Sequence, residues 1–206
     1  MRRRGPGEGA GIAPGYRAGM IHDSHRLDAE VRLRPAALGD AASLADSLSR
    51  SRTYMQPWEP VRPDTFYTEQ GQRERLAARL ADREAGRVMP WVIADAEDRA
   101  IGGFTLSNVV LGPFCSAVLG YWVDVAYAGR GLATAAVQRI CTVARDELRL
   151  HRVEAGTVLD NVASQRVLTK CGFEAFGTAP RYLYINGEWR DHRLFQRILH
   201  DGPPAG

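Results

Sequence analysis

Short stretches where apolar and polar residues alternate give way to longer ones with apolar residues every three or four positions, which predicts interleaved strands and helices. Val31 and Leu33 alternate with Arg32 and Arg34 as in a strand, and Pro35 ends it. Asp40 then stands where a helix cap belongs, ahead of an apolar face formed by Ala41, Leu44, Ala45 and Leu48. QPWEPVRP, residues 56–63, reads as a proline-punctuated loop, and Asp64 or Thr65 as the cap of a second helix running to Gly86. Apolar stretches at 88–94 and 100–108, separated by DAEDR, and a third at 115–125 after Gly112 and Pro113 predict an antiparallel meander. A helix over 131–148, a strand over 152–158 and a helix over 161–171 follow. The strand, helix, strand order from 118 to 158 is a crossover, which implies a locally parallel pair. RYLYI and EWRDHRLFQRIL flank Asn186-Gly187, a strong two-residue hairpin signal. The fold class is therefore α+β, with a mixed and mostly antiparallel sheet.

Composition adds bounds. A chain of 206 residues, 45% hydrophobic, fits one domain better than two. Residues 1–26, rich in Gly, Arg and Pro without periodicity, read as a disordered tail, 27–200 as a single domain and 201–206 as a second tail. The 27 basic residues exceed the 24 acidic ones by three, and Arg2, Arg3 and Arg4 lie outside any expected core, so direct nucleic-acid binding is not expected. Three cysteines, Cys115, Cys141 and Cys171, without Cys-x-x-Cys spacing, point to a reducing cytoplasmic compartment. No apolar run approaches the roughly 18 residues that span a bilayer, so no membrane partner is expected. The five histidines lack ligand spacing, so no metal is expected.

GYWVDVAYAGRGLATAAV, residues 120–137, runs from a strand through a glycine turn into a helix. Gly129, Gly131 and Ala133 remove side chains where strand becomes helix, so the amides of residues 130–134 can converge on an anion at the positive end of a helix dipole. Arg130 adds a positive charge beside them. The competing reading is an ordinary tight turn. A P-loop needs Gly-Lys-Ser/Thr, which is absent, and a dinucleotide fingerprint needs a small residue where Thr134 stands and a parallel sheet before it.

The turn AGRGLA, then HRVEA, then NVASQRVLTKCGF at 161–173, resemble the GNAT superfamily of acetyl-CoA-dependent N-acetyltransferases. QPWEPVR, SNVV at 107–110, LGYW at 119–122 and YLYINGEWRDH at 182–192 are most similar to the Rim-type branch, the ribosomal-protein-alanine N-acetyltransferases. The resemblance spans about residues 31–199. It implies the GNAT acyltransferase fold, with a central splayed parallel pair flanked by helices, and acetyl-CoA as co-substrate. Two departures stand out. Ala128 replaces a side chain that many members use at the pyrophosphate turn, and Leu168 occupies the position of a tyrosine general acid. Ser164 stands where the Rim-type branch carries a serine with the same role.

The implied chemistry is attack of a neutral amine on a thioester, which needs a deprotonated amine, an N–H for the oxyanion and help for the departing sulfur. The resemblance implies a pantetheine slot beside Val123 and Val125, with phosphate holding by Arg130, Gly131, Leu132, Ala133 and Thr134. Asn161 reads either as a helix cap or as a cap that also touches pantetheine; Ser164 reads as a solvated hydroxyl or as a donor to sulfur. Glu59 and Glu154 are the candidate bases, against plain roles as a loop-stabilising acceptor and a paired strand carboxylate. Asp124 is a third choice. The acceptor pocket is expected from the 54–66 loop, Asn108, and the last hairpin with Tyr182 and Tyr184. The acceptor itself is a protein N-terminus, most readily that of a ribosomal protein, or a small-molecule amine. A non-catalytic acyl-CoA-binding module is the third reading, and the protein is expected as a monomer or homodimer.

Overall fold

The computed structural model describes residues 23–204. Among these residues eight strands form one sheet in the order β1-β2-β3-β4-β5-β6-β8-β7. They are β1 (His25–Arg26), β2 (Arg32–Pro35), β3 (Met89–Ala94), β4 (Ala100–Val110), β5 (Ser116–Val123), β6 (Arg152–Val158), β7 (Glu174–Ile185) and β8 (Glu188–Ile198). Four helices flank them: α1 (Ala41–Met55), α2 (Glu69–Glu84), α3 (Leu132–Asp146) and α4 (Val162–Lys170). Among the described residues only β5 and β6 run parallel, joined by the α3 crossover; every other neighbouring pair is antiparallel. The meander, the crossover and the Asn186-Gly187 hairpin all stand as expected.

Side-chain alternation divides the sheet between two cores. On one face Leu33, Trp91, Ile93, Phe104, Leu119, Val153 and Phe195 pack against Leu132, Ala136, Val137 and Ile140 of α3 and Leu168 of α4. On the other, Val92 and Ala100 meet Leu44 of α1 and Leu76 of α2, with Trp122 against them. Each fully buried large aliphatic contributes about 1.5–3 kcal/mol, so the larger face anchors the crossover.

Local differences from expectation have identifiable causes. Of the expected tail at 1–26, residues 1–22 lie outside the described residues, while His25 and Arg26 pair with Leu33 and Arg32, so the sheet starts before residue 27. Asp40 does precede α1, but its carboxylate accepts from Arg34 at 2.7 Å and from the Ala37 amide at 2.8 Å instead of capping the helix. Asp64–Tyr67 forms a separate 3-10 turn around the buried Phe66, and Thr68, with extended backbone, caps α2 by accepting from the Gly71 amide at 3.1 Å. The third strand stops at Val123, not 125, because Asp124 turns the chain into a 3-10 turn over Val125–Tyr127.

Candidate active site

β5 and β6 are registered over three pairs, Ser116 with Arg152, Ala117 with Val153, and Val118 with Glu154. Beyond Val118 they diverge, and a cleft of about 880 Å³ opens between Leu119–Val123 and Ala155–Val158. The glycine turn and the first turns of α3 and α4 close one side of it. Tyr54, Met55, Trp58, Glu59 and Pro60 form the other side, with Leu183, Tyr184, Ile185 and His192 of the last hairpin.

On the first side, Gly129 and Gly131 hold φ angles of 79° and 80°, a left-handed conformation that suits glycine, and a Cβ on either would project into open space. Ala135 is the first residue of α3 whose amide bonds back, to Gly131 O at 3.1 Å, so the amides of Leu132, Ala133 and Thr134 have no carbonyl one turn earlier. These donors line the cleft together with Ala128 and Gly129. Unpaired amides at a helix N-terminus beside a long slot suit a pyrophosphate with an extended arm. Arg130 does not join them: its guanidinium pairs with Asp28 at 3.2 Å and Glu30 at 3.5 Å, carboxylates brought up by the turn between β1 and β2. Val125 does not either, since its amide donates to Ser51 Oγ at 3.1 Å. Val123 lines the cleft as expected.

Asn161 caps α4, its side-chain oxygen accepting from the Ser164 amide at 3.0 Å. Ser164 faces the cleft, and its hydroxyl lies 2.8 Å from the phenol oxygen of Tyr121. Burial pushes the Tyr121 phenol up to about 12, so the ring keeps its proton throughout the physiological range. The sequence reading missed this partner. Its signal lay in the strand period, which sets Leu119, Tyr121 and Val123 on the face that α4 covers.

The candidate bases separate. Glu59 lines the cleft, and burial raises its pKa despite the Arg62 guanidinium at 3.8 Å and the nearby Arg75. Its backbone carbonyl accepts from the Asn186 amide at 3.0 Å, tying the loop to the tip of the hairpin. Glu154 lies below the point of divergence, outside the cleft lining, and pairs with Arg152 at 2.9 Å. Asp124 is fully buried; desolvation alone would raise its pKa, yet the Arg50 guanidinium and the Ala126 amide at 2.9 Å hold it below the usual carboxylate range. It is a structural anchor of the strand end. Asn108 sits in the irregular stretch of β4 between Ser107 and Val110, away from the cleft lining. Tyr184 lines the cleft, and the Tyr182 ring packs 5.4 Å from that of His192.

A split parallel pair, unpaired helix-terminal amides and a hydroxyl beside the slot suit an acyl-CoA-dependent transferase. Residues 30–174 match the family described as Acetyltransferase (GNAT) domain. The chain is 32% identical over 167 residues to the [Ribosomal protein uS5]-alanine N-acetyltransferase of Escherichia coli, covering 81% of this chain and 86% of that protein. Ribosomal-protein-S5-alanine acetyltransferase from Vibrio fischeri superposes with a TM-score of 0.82 at 32% identity, over 87% of this chain and 98% of that one. Mycobacterium smegmatis RimJ, solved in complex with CoA-disulfide, superposes with a TM-score of 0.78 at 32% identity, over 82% of this chain and 81% of that one. The protein belongs to the GNAT acetyltransferase family. It is an acetyl-CoA-dependent N-acetyltransferase.

Proposed function

We propose that the acceptor is the N-terminal α-amine of a ribosomal protein, acetylated in the cytoplasm. The observation that carries this reading is the mouth of the cleft. The Tyr54–Pro60 loop and the hairpin tip, joined through Asn186 and Glu59, frame a passage leading in toward the point of divergence. The likeness to alanine N-acetyltransferases over most of both chains supports it. The chemistry suits it too: an α-amine with pKa near 8 is about one-tenth neutral at pH 7, whereas a lysine amine is about 250-fold less so.

In this reading the amides of Gly131, Leu132, Ala133 and Thr134 hold the pyrophosphate, and Asn161 fixes the α4 turn beside the pantetheine arm. An amide near Val123 serves the oxyanion. Tyr121 donates to Ser164 Oγ, which frees the serine proton for the departing sulfur. A thiolate has a pKa of about 8.5, so this hydrogen bond is a modest aid. Glu59 shapes the acceptor mouth, and Glu154 has only its pairing role.

The test is to incubate the protein with acetyl-CoA and a panel of ribosomal-protein N-terminal peptides and small amines, following free thiol and the mass and site of the product. Acetylation of an N-terminal alanine or serine supports the reading. Transfer to small amines alone would replace it, and binding without thiol release would indicate a non-catalytic module.

A further inference from the structure

The two faces of the split sheet are chemically distinct. Alternation from the Val118–Glu154 pair sets Leu119, Tyr121 and Val123 with Ala155 and Thr157 toward α3 and α4. Gly120, Trp122, Gly156 and Val158 point to the opposite face, which α1 and the acceptor loop cover. His192 pairs directly with Val158 and so shares that second face. Its ring is buried, lines the cleft, and passes close enough to the β6 backbone that a Cβ on Gly156 would sit 3.7 Å from Cδ2.

The hydrogen bonding of the ring settles its tautomer. Nδ1 lies 3.0 Å from the carbonyl oxygen of Arg190, which can only accept, so the neutral ring carries its proton on Nδ1 and a lone pair on Nε2. Nε2 has no hydrogen-bond partner among the described residues. The Tyr182 ring of β7 packs beside it, and Gly156 and Val158 of β6 lie next to it across the sheet. On its own strand, Arg190 shares its face and is paired with Asp160 at 2.8 Å and Glu188 at 3.2 Å, while Arg193 alternates to the other face. Glu59, on the acceptor loop tied to the hairpin tip through Asn186, lines the same wall of the cleft.

We infer that His192 is the catalytic proton acceptor, receiving the amine proton at Nε2 from the face opposite Ser164. This rests on the α-amine reading only for the choice of acceptor. The amine lone pair forms the N–C bond at the thioester carbonyl, whose π pair moves to oxygen, and the proton on the now cationic nitrogen passes to Nε2. Reforming the C=O bond breaks the C–S bond, and the pair leaves on sulfur. Sulfur, steadied by the Ser164 hydrogen bond, takes its proton from solvent and the imidazolium returns one, so amine and thioester give amide and thiol in balance.

The test uses the full-length protein and whichever acceptor the wild type acetylates, peptide or small amine, so failure of the α-amine reading is seen before any variant is made. His192→Gln is expected to lower kcat about 100-fold, within the range of general-base catalysis, with KM and CoA affinity changed less than about threefold. The acidic limb of the kcat profile should disappear, and imidazole should restore His192→Gly by at least about tenfold. Independently of activity, ¹⁵N NMR of the wild-type ring should report the Nδ1–H tautomer at neutral pH. Retention of the acidic limb in His192→Gln, no rescue by imidazole, or an Nε2–H tautomer would each overturn the assignment. Loss of the limb in Glu59→Gln alone would move the role to Glu59.

Discussion

The two walls of the cleft are built by opposite means. The proposed cofactor wall comes from contiguous sequence: residues 128–134 and 161–168 supply it, each as a turn entering a helix, and the groups it offers are largely backbone amides. The proposed acceptor wall is assembled from Tyr54–Pro60, Leu183–Ile185 and His192, more than a hundred residues apart, and what it offers is side chains. A backbone cradle tolerates side-chain change as long as φ is preserved, whereas a wall of side chains can be retuned residue by residue. On the proposed function, that contrast would suit one wall to a constant co-substrate and the other to a particular acceptor.

The contrast can be broken most sharply at Gly131. A β-branched residue at φ 80° is strained by about 1–3 kcal/mol and would misdirect the α3 amides. Gly131→Val is expected to raise the KM for acetyl-CoA about 100-fold while leaving the acceptor KM within about threefold, as steady-state kinetics would reveal. The opposite wall has a matching lesion. Asn186→Pro removes the amide that bonds to Glu59 O and forbids the φ of 47°, so the acceptor KM should rise more than about tenfold with CoA affinity unchanged by calorimetry. Ser164→Ala should lower turnover more than about tenfold without loss of acetyl-CoA affinity, and Tyr121→Phe should lower it about threefold through the orientation of Ser164. Unchanged turnover in the first would remove Ser164 from the reaction.

The smallest effect concerns stability, not the walls. Because the Asp124 pKa is depressed in the folded protein, its contribution is present above roughly pH 4 and fades as the pH falls further. Asp124→Asn should therefore destabilise the protein at pH 7, by about 2–3 kcal/mol for the loss of buried hydrogen bonds to a charged group. In denaturant titrations the gap to wild type should narrow below pH 4; a gap independent of pH would contradict the ion-pair account.

What was legible in the sequence follows the same division. The meander, the crossover, the Asn186-Gly187 hairpin and the glycine turn are local patterns of period, cap and turn, and each stands where the pattern put it. The misplacements are long-range. Arg130 is held by Asp28 and Glu30, about a hundred residues earlier, and no spacing rule connects them. Val125 lost its expected place because Ser51, on α1, takes its amide. Glu154 has the right strand, but a parallel register of only three pairs puts it just below the divergence. His192 was one of five histidines without metal spacing, and only the pairing with Val158 brings it into the cleft.

The division of the cleft itself is most directly tested by amide NMR titration, first with CoA and then with an N-terminal acceptor peptide. CoA should shift the resonances of residues 129–134 and 161–164 and leave 54–60 in place, and the peptide should then shift 54–60 and 183–186. CoA shifts centred on the 54–60 loop, or a peptide response confined to the glycine turn, would contradict the two-wall account.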